Sequence, residues 1–417
     1  MSQFAKDRQY YKFCAYGFLK NLRLYDAFLL LFLLENGLSY TQIGLLYASR
    51  EISTNALEIP SGLIADSFGR KNTLLGAFGL YMLAAAVLYF STHMGLLFLC
   101  MIFLGIGDAF RSGTHKGMIM DYLRQNGWSA HKVSYYGNTR GWSQRGSALS
   151  ALIAGLLVFY GGEYRIIILL SLIPYVINFF NLATYPESIN FATKRSEDKR
   201  GSSLRETLSH FWQSLRRRQV LQVINSSAMH SAYLKAIKDY IQMVMLQISL
   251  LLPFWLEIED KRKSGLVIGL LYTIIYLFTS QASRSAKRLT KGSLALPAQR
   301  TLILGIACGL FSGLMIYYEW WLAAWGLFAV VFVIESLRKP ILTSMLADQV
   351  QSDVLTSVLS AQSFYGTILV SGLALIFGLI ADYGSIGIAL MTVSGLLLGL
   401  AWWMGAPHAK TSQQSKT

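Results

Sequence analysis

The sequence predicts an all-α polytopic membrane protein, with twelve transmembrane helices forming two pseudo-symmetric six-helix bundles around a central cavity. Three observations carry that expectation. Only 14% of the 417 residues are charged and 53% are hydrophobic, giving a mean hydropathy of +0.42, whereas soluble domains carry about 25% charged residues. Apolar stretches near the roughly 20 residues needed to cross a bilayer recur along the whole chain. The two halves also agree at rare charged positions inside those stretches.

The stretches lie near 12–35, 41–63, 72–91, 95–119, 137–160, 165–184, 219–246, 265–284, 301–318, 321–346, 355–380 and 385–406. Apolar residues continue past the seventh to Trp255, and Pro253 is expected to end or bend that helix. The opening MSQFAKDRQYYK lacks the basic start, short apolar core and small-residue cleavage site of a signal peptide. The first span is therefore expected to be retained. Cys14, Cys100 and Cys308 fall within spans without metal-ligand spacing and read as small buried apolar residues. Neither a metal nor a cofactor is expected.

A net charge of +15 would suit nucleic acid, but its placement argues otherwise. With the N-terminus inside, inner segments hold 22 of the 37 Lys and Arg, while outer loops hold four, Arg165, Lys261, Arg262 and Lys263. That bias is the positive-inside pattern. It puts both termini in the cytoplasm and makes the basic excess a topology signal.

The longest polar stretch, 186–218, divides the spans six and six. The expected organisation is a first bundle over 1–185, a cytoplasmic linker over 186–218 with a short amphipathic helix near 203–218, a second bundle over 219–408 and a tail over 409–417. FLKNLRLY (18–25) lies over YLKAIKDY (233–240), matching Lys20 to Lys235, Arg23 to Lys238 and Tyr25 to Tyr240. At a different shift, Asp108, Arg111 and Asp121 lie over Glu335, Arg338 and Asp348. Parallel repeats of this kind typify secondary transporters, whose substrate site lies at the repeat interface near mid-membrane.

Charges are absent from the cores of the third, sixth, ninth and twelfth spans, which suits those helices to face lipid. The others hold Lys20, Arg23 and Asp26; Arg50, Glu51 and Glu58; Asp108 and Arg111; Arg140 and Arg145; Lys235, Lys238 and Asp239; and Glu335, Arg338 and Lys339. One ionised side chain at mid-bilayer costs about 2.5–3.5 kcal/mol, against a net stability of about 5–15 kcal/mol. Such a number of charges must be paired or line a wet cavity. Helical spacing groups Glu51, Asn55 and Glu58 on one stripe, Asp108, Arg111, Ser112 and His115 on a second, and Tyr16, Lys20 and Arg23 on a third.

Cations outnumber anions in this set, so an anionic group on a small-molecule substrate is expected to dock on them. The expected binding residues are Tyr16, Lys20, Arg23, Asn55, Arg111, Lys235, Lys238 and Arg338. Buried ion pairs that only fix packing are the competing reading, and Glu58 and Arg145 suit it best. Coupling to protons would fall to Asp26 first, Asp108 second, and to Glu51 and Glu335. Burial disfavours a charged carboxyl and a nearby arginine favours it, so a carboxyl beside a cation can exchange a proton for substrate. Asp108–Arg111 and Glu335–Arg338, each at i, i+3, fit that competition and fit static salt bridges equally.

Between the second and third spans runs EIPSGLIADSFGRKNTLL (58–75). Gly62 and Gly69 permit tight turns and close helix approach, Asp66 can cap a helix start, and Arg70 and Lys71 are inner-side anchors. The stretch resembles the signature loop of the major facilitator superfamily, G-x-x-x-D-x-x-G-R-[RK], with Ser67 at a position that is commonly basic. Twelve spans in a six-plus-six repeat extend the resemblance over the chain. It implies alternating access, with a conformational gate made by Gly62, Asp66, Gly69, Arg70 and Lys71 against Asp121, which follows SGTHKGMIM. The nearest look is to bacterial drug–proton antiporter-like members: Gly146, Gly155, Gly161 and Gly162 match their fifth helix, without its proline. What the resemblance implies is a monomeric, proton-coupled transporter in a bacterial cytoplasmic (inner) membrane; the match to exporters is partial, so direction stays open, with efflux slightly favoured over uptake.

No G-x-x-x-x-G-K-[ST] phosphate loop is present, so nucleotide-driven transport is not expected. The rival is a polytopic membrane enzyme, or a lipid flippase or receptor built on the same fold. An enzyme would need a nucleophile–base or metal cluster. Yet His93, His131, His210 and His408 lie outside the spans, and His115 and His230 stand isolated, as packing residues would.

Overall fold

The computed structural model describes residues 5–90, 93–112, 114–128, 131–190, 216, 218–252, 258–289, 295–349 and 355–404; the side chains of Asp66, Arg140 and Asp348 are outside the described residues. Pro253 and, apart from 216 and 218, the helix expected near 203–218 also lie outside them. Six helices run close to expectation, with ends extended or trimmed: α3 Tyr40–Phe68, α4 Arg70–Phe90, α7 Lys132–Gly161, α12 Asp260–Leu289, α13 Ala295–Tyr317 and α14 Trp321–Gln349. Two more, α15 Leu355–Tyr383 and α16 Ile386–Met404, complete the C-terminal end.

The remaining four spans are interrupted, and the interruptions matter. The first is not one helix but α1 Arg8–Leu19, a 3-10 turn Leu24–Ala27 and α2 Leu29–Glu35. The seventh repeats this design as α10 Arg218–Ile237, a 3-10 turn Lys238–Tyr240 and α11 Ile241–Leu251. Both breaks fall inside the two windows that align in sequence, so the repeat carries a shared backbone feature. Tyr16, Lys20 and Arg23 therefore do not continue one helical stripe, because the helix ends before Lys20. The fourth span divides into α5 Met94–Arg111 and α6 Thr114–Gln125. The sixth divides into α8 Tyr164–Leu170 and α9 Leu172–Ala183, next to Pro174, whose ring cannot accommodate the carbonyl four residues earlier.

Among the described residues, eight helices are long and apolar enough to cross a membrane on their own. The spans that fall short are the first, second, fifth and seventh, which hold most of the embedded charge and polar side chains. Their insertion depends on internal partners rather than on hydropathy.

The chain divides into two compact units. One comprises Met1–Leu38, Leu45–Arg195 and Met245–Tyr276, the other Ser39–Gly44, Ser196–Val244 and Leu277–Thr417. In the first, α4 packs on α5 and α9, and α1 on α7 and α9. An aromatic core of Phe13, Phe78, Tyr81 and Tyr175 is fully buried there. In the second, α13 packs on α14 and α16, and α10 on α15. The charge-free spans expose large apolar side chains, including Ile177 and Phe180 on α9, Phe311 on α13 and Leu396 and Trp402 on α16. That is the surface a bilayer would cover.

Close helix approach depends on particular glycines. A Cβ at Gly105 of α5 would lie 2.6 Å from the Arg50 carbonyl oxygen of α3, and Thr54 Oγ1 donates to the Gly105 carbonyl at 3.1 Å. At Gly107 a Cβ would meet the Tyr81 ring at 2.6 Å. Gly62, expected to permit such an approach, sits inside α3 with nothing within 4 Å of an added Cβ; its expected steric role is not seen here. Replacing Gly105 with Ala should cost about 1–3 kcal/mol through forced backbone separation. Gly76→Ala on α4, where nothing lies within 4 Å, should instead gain about 0.5–1 kcal/mol. Thermal unfolding in nanodiscs checks the opposite signs.

Candidate functional site

In the first unit, the break after α1 is seated on α7. Asn21 Nδ2 donates to the Ser143 carbonyl at 2.7 Å and to Ser147 Oγ at 3.1 Å, and Ser143 Oγ donates to the Gly17 carbonyl at 3.0 Å. Gly146 leaves room for the Phe18 carbonyl. The chain then turns through Arg23, whose guanidinium lies 4.5 Å from the Tyr81 ring centre.

That geometry delivers Arg23 to Asp108. Asp108 Oδ1 accepts from Arg23 at 3.0 Å, Arg111 at 3.1 Å and the Tyr81 hydroxyl at 2.7 Å. Its Oδ2 accepts from Arg50 Nη2 at 2.7 Å and Nε at 3.2 Å. A carboxylate offers about four lone-pair positions, so Asp108 is saturated. The side chains are between 10% and 27% exposed. Three guanidiniums thus converge on one carboxylate. Tyr81 links the cluster further, accepting from Arg111 Nε at 3.1 Å while donating to Asp108.

Beside this cluster, Tyr16 stacks on His115 with ring centres 3.6 Å apart. Its hydroxyl is buried with no hydrogen-bond partner among the described residues. Lys20 Nζ lies 5.7 Å from the Tyr16 ring. His115 is not isolated, since its Nε2 is 3.3 Å from the Tyr185 hydroxyl. Asp26, Glu51 and Asn55 are half-buried, and Asn55 Nδ2 donates to the Glu51 carbonyl oxygen at 3.2 Å.

The second unit uses the aligned positions differently. His230 is fully buried, and its Nδ1 lies 2.8 Å from Glu335 Oε2. Its Nε2 is buried without a partner, and Gly305 of α13 supplies the space for the ring. Arg338, one turn beyond Glu335, is only 1% exposed. Its Nη2 donates to the Ser226 carbonyl at 2.8 Å and Ser226 Oγ at 3.0 Å, while Nη1 donates to Thr301 Oγ1 at 2.8 Å and to the Ala298 carbonyl. Arg338 therefore ties α10, α13 and α14 together through neutral oxygens. Lys235 is exposed and Lys238 lies 3.7 Å from Asp239, so neither joins the His230–Glu335 pair.

At the signature loop, Arg70 Nη1 donates to Asp121 Oδ2 at 2.5 Å, and Arg124 lies 3.5 Å from Oδ1. Gly69 adopts φ +92°, a left-handed conformation. Gly117 keeps α6 clear of the Arg70 guanidinium, which a Cβ would approach to 3.1 Å. At the start of α4, the N–H groups of Arg70 and Lys71 donate to the Asn190 carbonyl at 2.7 Å and Asn190 Oδ1 at 2.9 Å. The side chain of Asp66 lies outside the described residues. Among the described residues, no group of three or more His, Cys, Asp or Glu is placed to hold a metal.

Sequence reasoning missed four partners. Arg50 stood among the embedded charges but outside the binding set, and Tyr81 and Asn190 carried no sign of their role. His230 looked isolated because its carboxylate partner is 105 residues away. The i, i+3 pairing of Asp108 with Arg111 does form, at 3.1 Å, but Glu335 turns to His230 instead of forming a salt bridge with Arg338.

The chain matches the Major Facilitator Superfamily over residues 21–375. It belongs to that family, and is a transporter in class rather than an enzyme. Solved structures agree in fold across nearly the whole chain. The nucleoside transporter NupG, as a D323A mutant, matches at TM-score 0.71 and 13% identity, covering 95% of this chain and 97% of that one. A D-xylose–proton symporter matches at 0.68 and 13%, covering 95% of each chain. A POT family transporter in complex with 5-aminolevulinic acid matches at 0.71 and 13%, again covering 95% of each. A search of curated proteins finds no match.

The Asp108 hub yields a direct expectation. Tyr81→Phe removes one hydrogen bond to a charged acceptor and one acceptor for Arg111, and should cost about 1.5–3 kcal/mol of stability. Thermal unfolding in nanodiscs measures it; an unchanged midpoint would mean that the phenol is not part of the hub.

Proposed function

We propose that this transporter moves a small anionic or zwitterionic organic solute by proton-coupled alternating access. The supporting observation is the convergence of Arg23, Arg50 and Arg111 on the single carboxylate of Asp108, at a point where the first span is unwound. Three guanidiniums there share the carboxylate of Asp108, and Asp26 also acts electrostatically on Arg50, so cations remain in excess. An embedded cation without a counter-ion is costly, and a carboxylate or phosphate on the solute would offset that cost. Broken helices are where transporters of this general kind place their solute contacts. Tyr16, with an unpartnered buried hydroxyl, Lys20, Arg23, Asn55 and Arg111 serve the solute from the first unit. In the second unit, taken by itself, Lys235, Lys238 and Arg338 are the proposed solute residues, with Arg338 acting through the helices it joins.

Of the four carboxylates that could carry the proton, the geometry favours Glu335. Asp108 is held by five donor atoms, from three guanidiniums and the Tyr81 hydroxyl, which suits a structural role better than proton exchange. Glu335 lies 2.8 Å from the His230 imidazole, a second group able to carry a proton, and that adjacency is what supports it as the carrier. Asp26 and Glu51 remain in reserve as second carriers. The charge bias supports cytoplasmic termini, and a monomer in a bacterial inner membrane belongs to the same proposal. The glycines at 146, 155, 161 and 162 support export over uptake.

The test is a proteoliposome assay with a panel of labelled probes: a monocarboxylate, a dicarboxylate, a sugar phosphate and an amino acid. An imposed pH gradient should drive accumulation of at least one. Glu335→Gln and His230→Gln should abolish gradient-driven accumulation while sparing solute exchange at equal concentrations. Arg23→Gln should weaken binding of the active probe at least tenfold in a thermal-stabilisation titration. Stabilisation by anions that is equal in all variants, or accumulation by an uncharged probe alone, would overturn the proposal.

A further inference from the structure

The start of α4 poses a packing question. The first N–H groups of a helix have no partner within it, and the residue just before the helix normally supplies one from its side chain. That residue here is Gly69, which has no side chain to offer. The cap comes instead from a residue 119 positions later. Asn190 accepts the Arg70 N–H on its carbonyl at 2.7 Å and the Lys71 N–H on Oδ1 at 2.9 Å. It is 3% exposed. An added Cβ at Gly69 would fall 2.5 Å from Asn190 Oδ1, so the glycine is needed for the cap to enter as well as for its φ of +92°.

Asn190 is itself fixed from several directions. Its Nδ2 donates to Glu187 Oε2 at 2.8 Å, and Glu187 Oε1 accepts from Lys71 Nζ at 2.7 Å. Lys71 Nζ also donates to the Tyr185 carbonyl at 3.2 Å. Gln125, at the end of α6, donates to the Ser188 carbonyl at 2.8 Å, and Lys12 of α1 donates to the Thr184 carbonyl at 2.7 Å. The segment 184–190 thus joins the ends of α1, α4 and α6 around Arg70 and Asp121.

We infer that Asn190, braced by Glu187, is a positioning residue for the Arg70–Asp121 gate. By fixing the first two peptide units of α4 it sets where the Arg70 side chain begins, and so holds the guanidinium against Asp121. The inference rests on reading that ion pair as a gate. Hydrogen bonds from Lys71 and then Asn190 hold the Glu187 carboxyl below its usual range. A group lowered in this way contributes at pH above the ordinary carboxyl range and is lost only as pH falls through its lowered value. The clasp is therefore formed at any cytoplasmic pH, and pH does not switch it.

The test uses the full chain in nanodiscs with Cys100→Ser and Cys308→Ser, leaving Cys14, which is buried on α1, as a thiol reporter of opening at this end. Hydrogen exchange is followed over 66–75 together with the rate of N-ethylmaleimide labelling of Cys14. Loss of a helix cap corresponds to roughly a 2-fold to 30-fold change in local opening. Asn190→Ala should speed both readouts within that range. Asn190→Asp combined with Glu187→Gln, which keeps the acceptor for the Lys71 N–H and returns a donor between the two side chains, should retain most of the protection, and far-ultraviolet circular dichroism checks that each variant is folded. Asp121→Asn should speed Cys14 labelling with little effect on exchange at Arg70 and Lys71. Faster exchange in Asn190→Ala with unchanged Cys14 labelling would overturn the positioning role, as would unchanged exchange. If Asp121→Asn leaves Cys14 slow while Asn190→Ala still speeds it, the ion-pair reading of the gate falls and the clasp stands.

Discussion

The constraint on which the rest depends is that an ionised side chain at bilayer depth must find its partner inside the protein. Asp108 meets it in the most concentrated form. One carboxylate accepts from Arg111 on its own helix and from Arg23, Arg50 and Tyr81 on three other segments, the break after α1, α3 and α4. Each of those segments is thereby bound to α5, and each would leave a buried, unmatched charge if it drifted. The hub costs some stability compared with an apolar core. What it gives in return is a locally positive, partly exposed cluster that an aliphatic core could not supply.

Backbone irregularities serve that hub. The break after α1 carries Arg23 out of the helical register and toward Asp108, and small residues on α7 accept the unwound chain. Gly105 and Gly107 bring α5 close enough to α3 and Tyr81 for their side chains to reach the same carboxylate. In the second unit the aligned break recurs, but the polar chemistry is reassigned. Glu335 goes to His230, and Arg338 is satisfied by carbonyl and hydroxyl oxygens. A repeated scaffold carries two different ionic arrangements, one with three guanidiniums on a saturated carboxylate, the other a buried imidazole–carboxylate pair.

Much of the scaffold was legible in the sequence because its signals are local. Spans announce themselves by apolar length, the repeat by rare charges such as Lys20 over Lys235, and the Arg70–Asp121 ion pair by the signature loop and a following acid. The breaks were harder to see, since FLKNLRLY is compatible with continuous helix and only the tertiary seat of Asn21 on Ser143 and Ser147 decides otherwise. The partners of the charges were not legible. Which of several carboxylates Arg50 meets, or that His230 meets Glu335 across 105 residues, depends on helix rotation and depth. Spacing along one helix cannot report either. Asn190 lay hidden for the same reason: a cap delivered from a distant part of the chain leaves no mark beside the helix it caps.

The most direct measurement is a double-mutant cycle on Arg50→Gln and Asp108→Asn, read as unfolding free energy in lipid nanodiscs. Removing Asp108 alone should cost about 3–5 kcal/mol, because it strands buried guanidiniums. The pair together should cost less than the sum of the single changes, with an interaction energy of about 0.5–3 kcal/mol. Strictly additive costs would contradict the account, since they would mean that the two groups do not depend on each other.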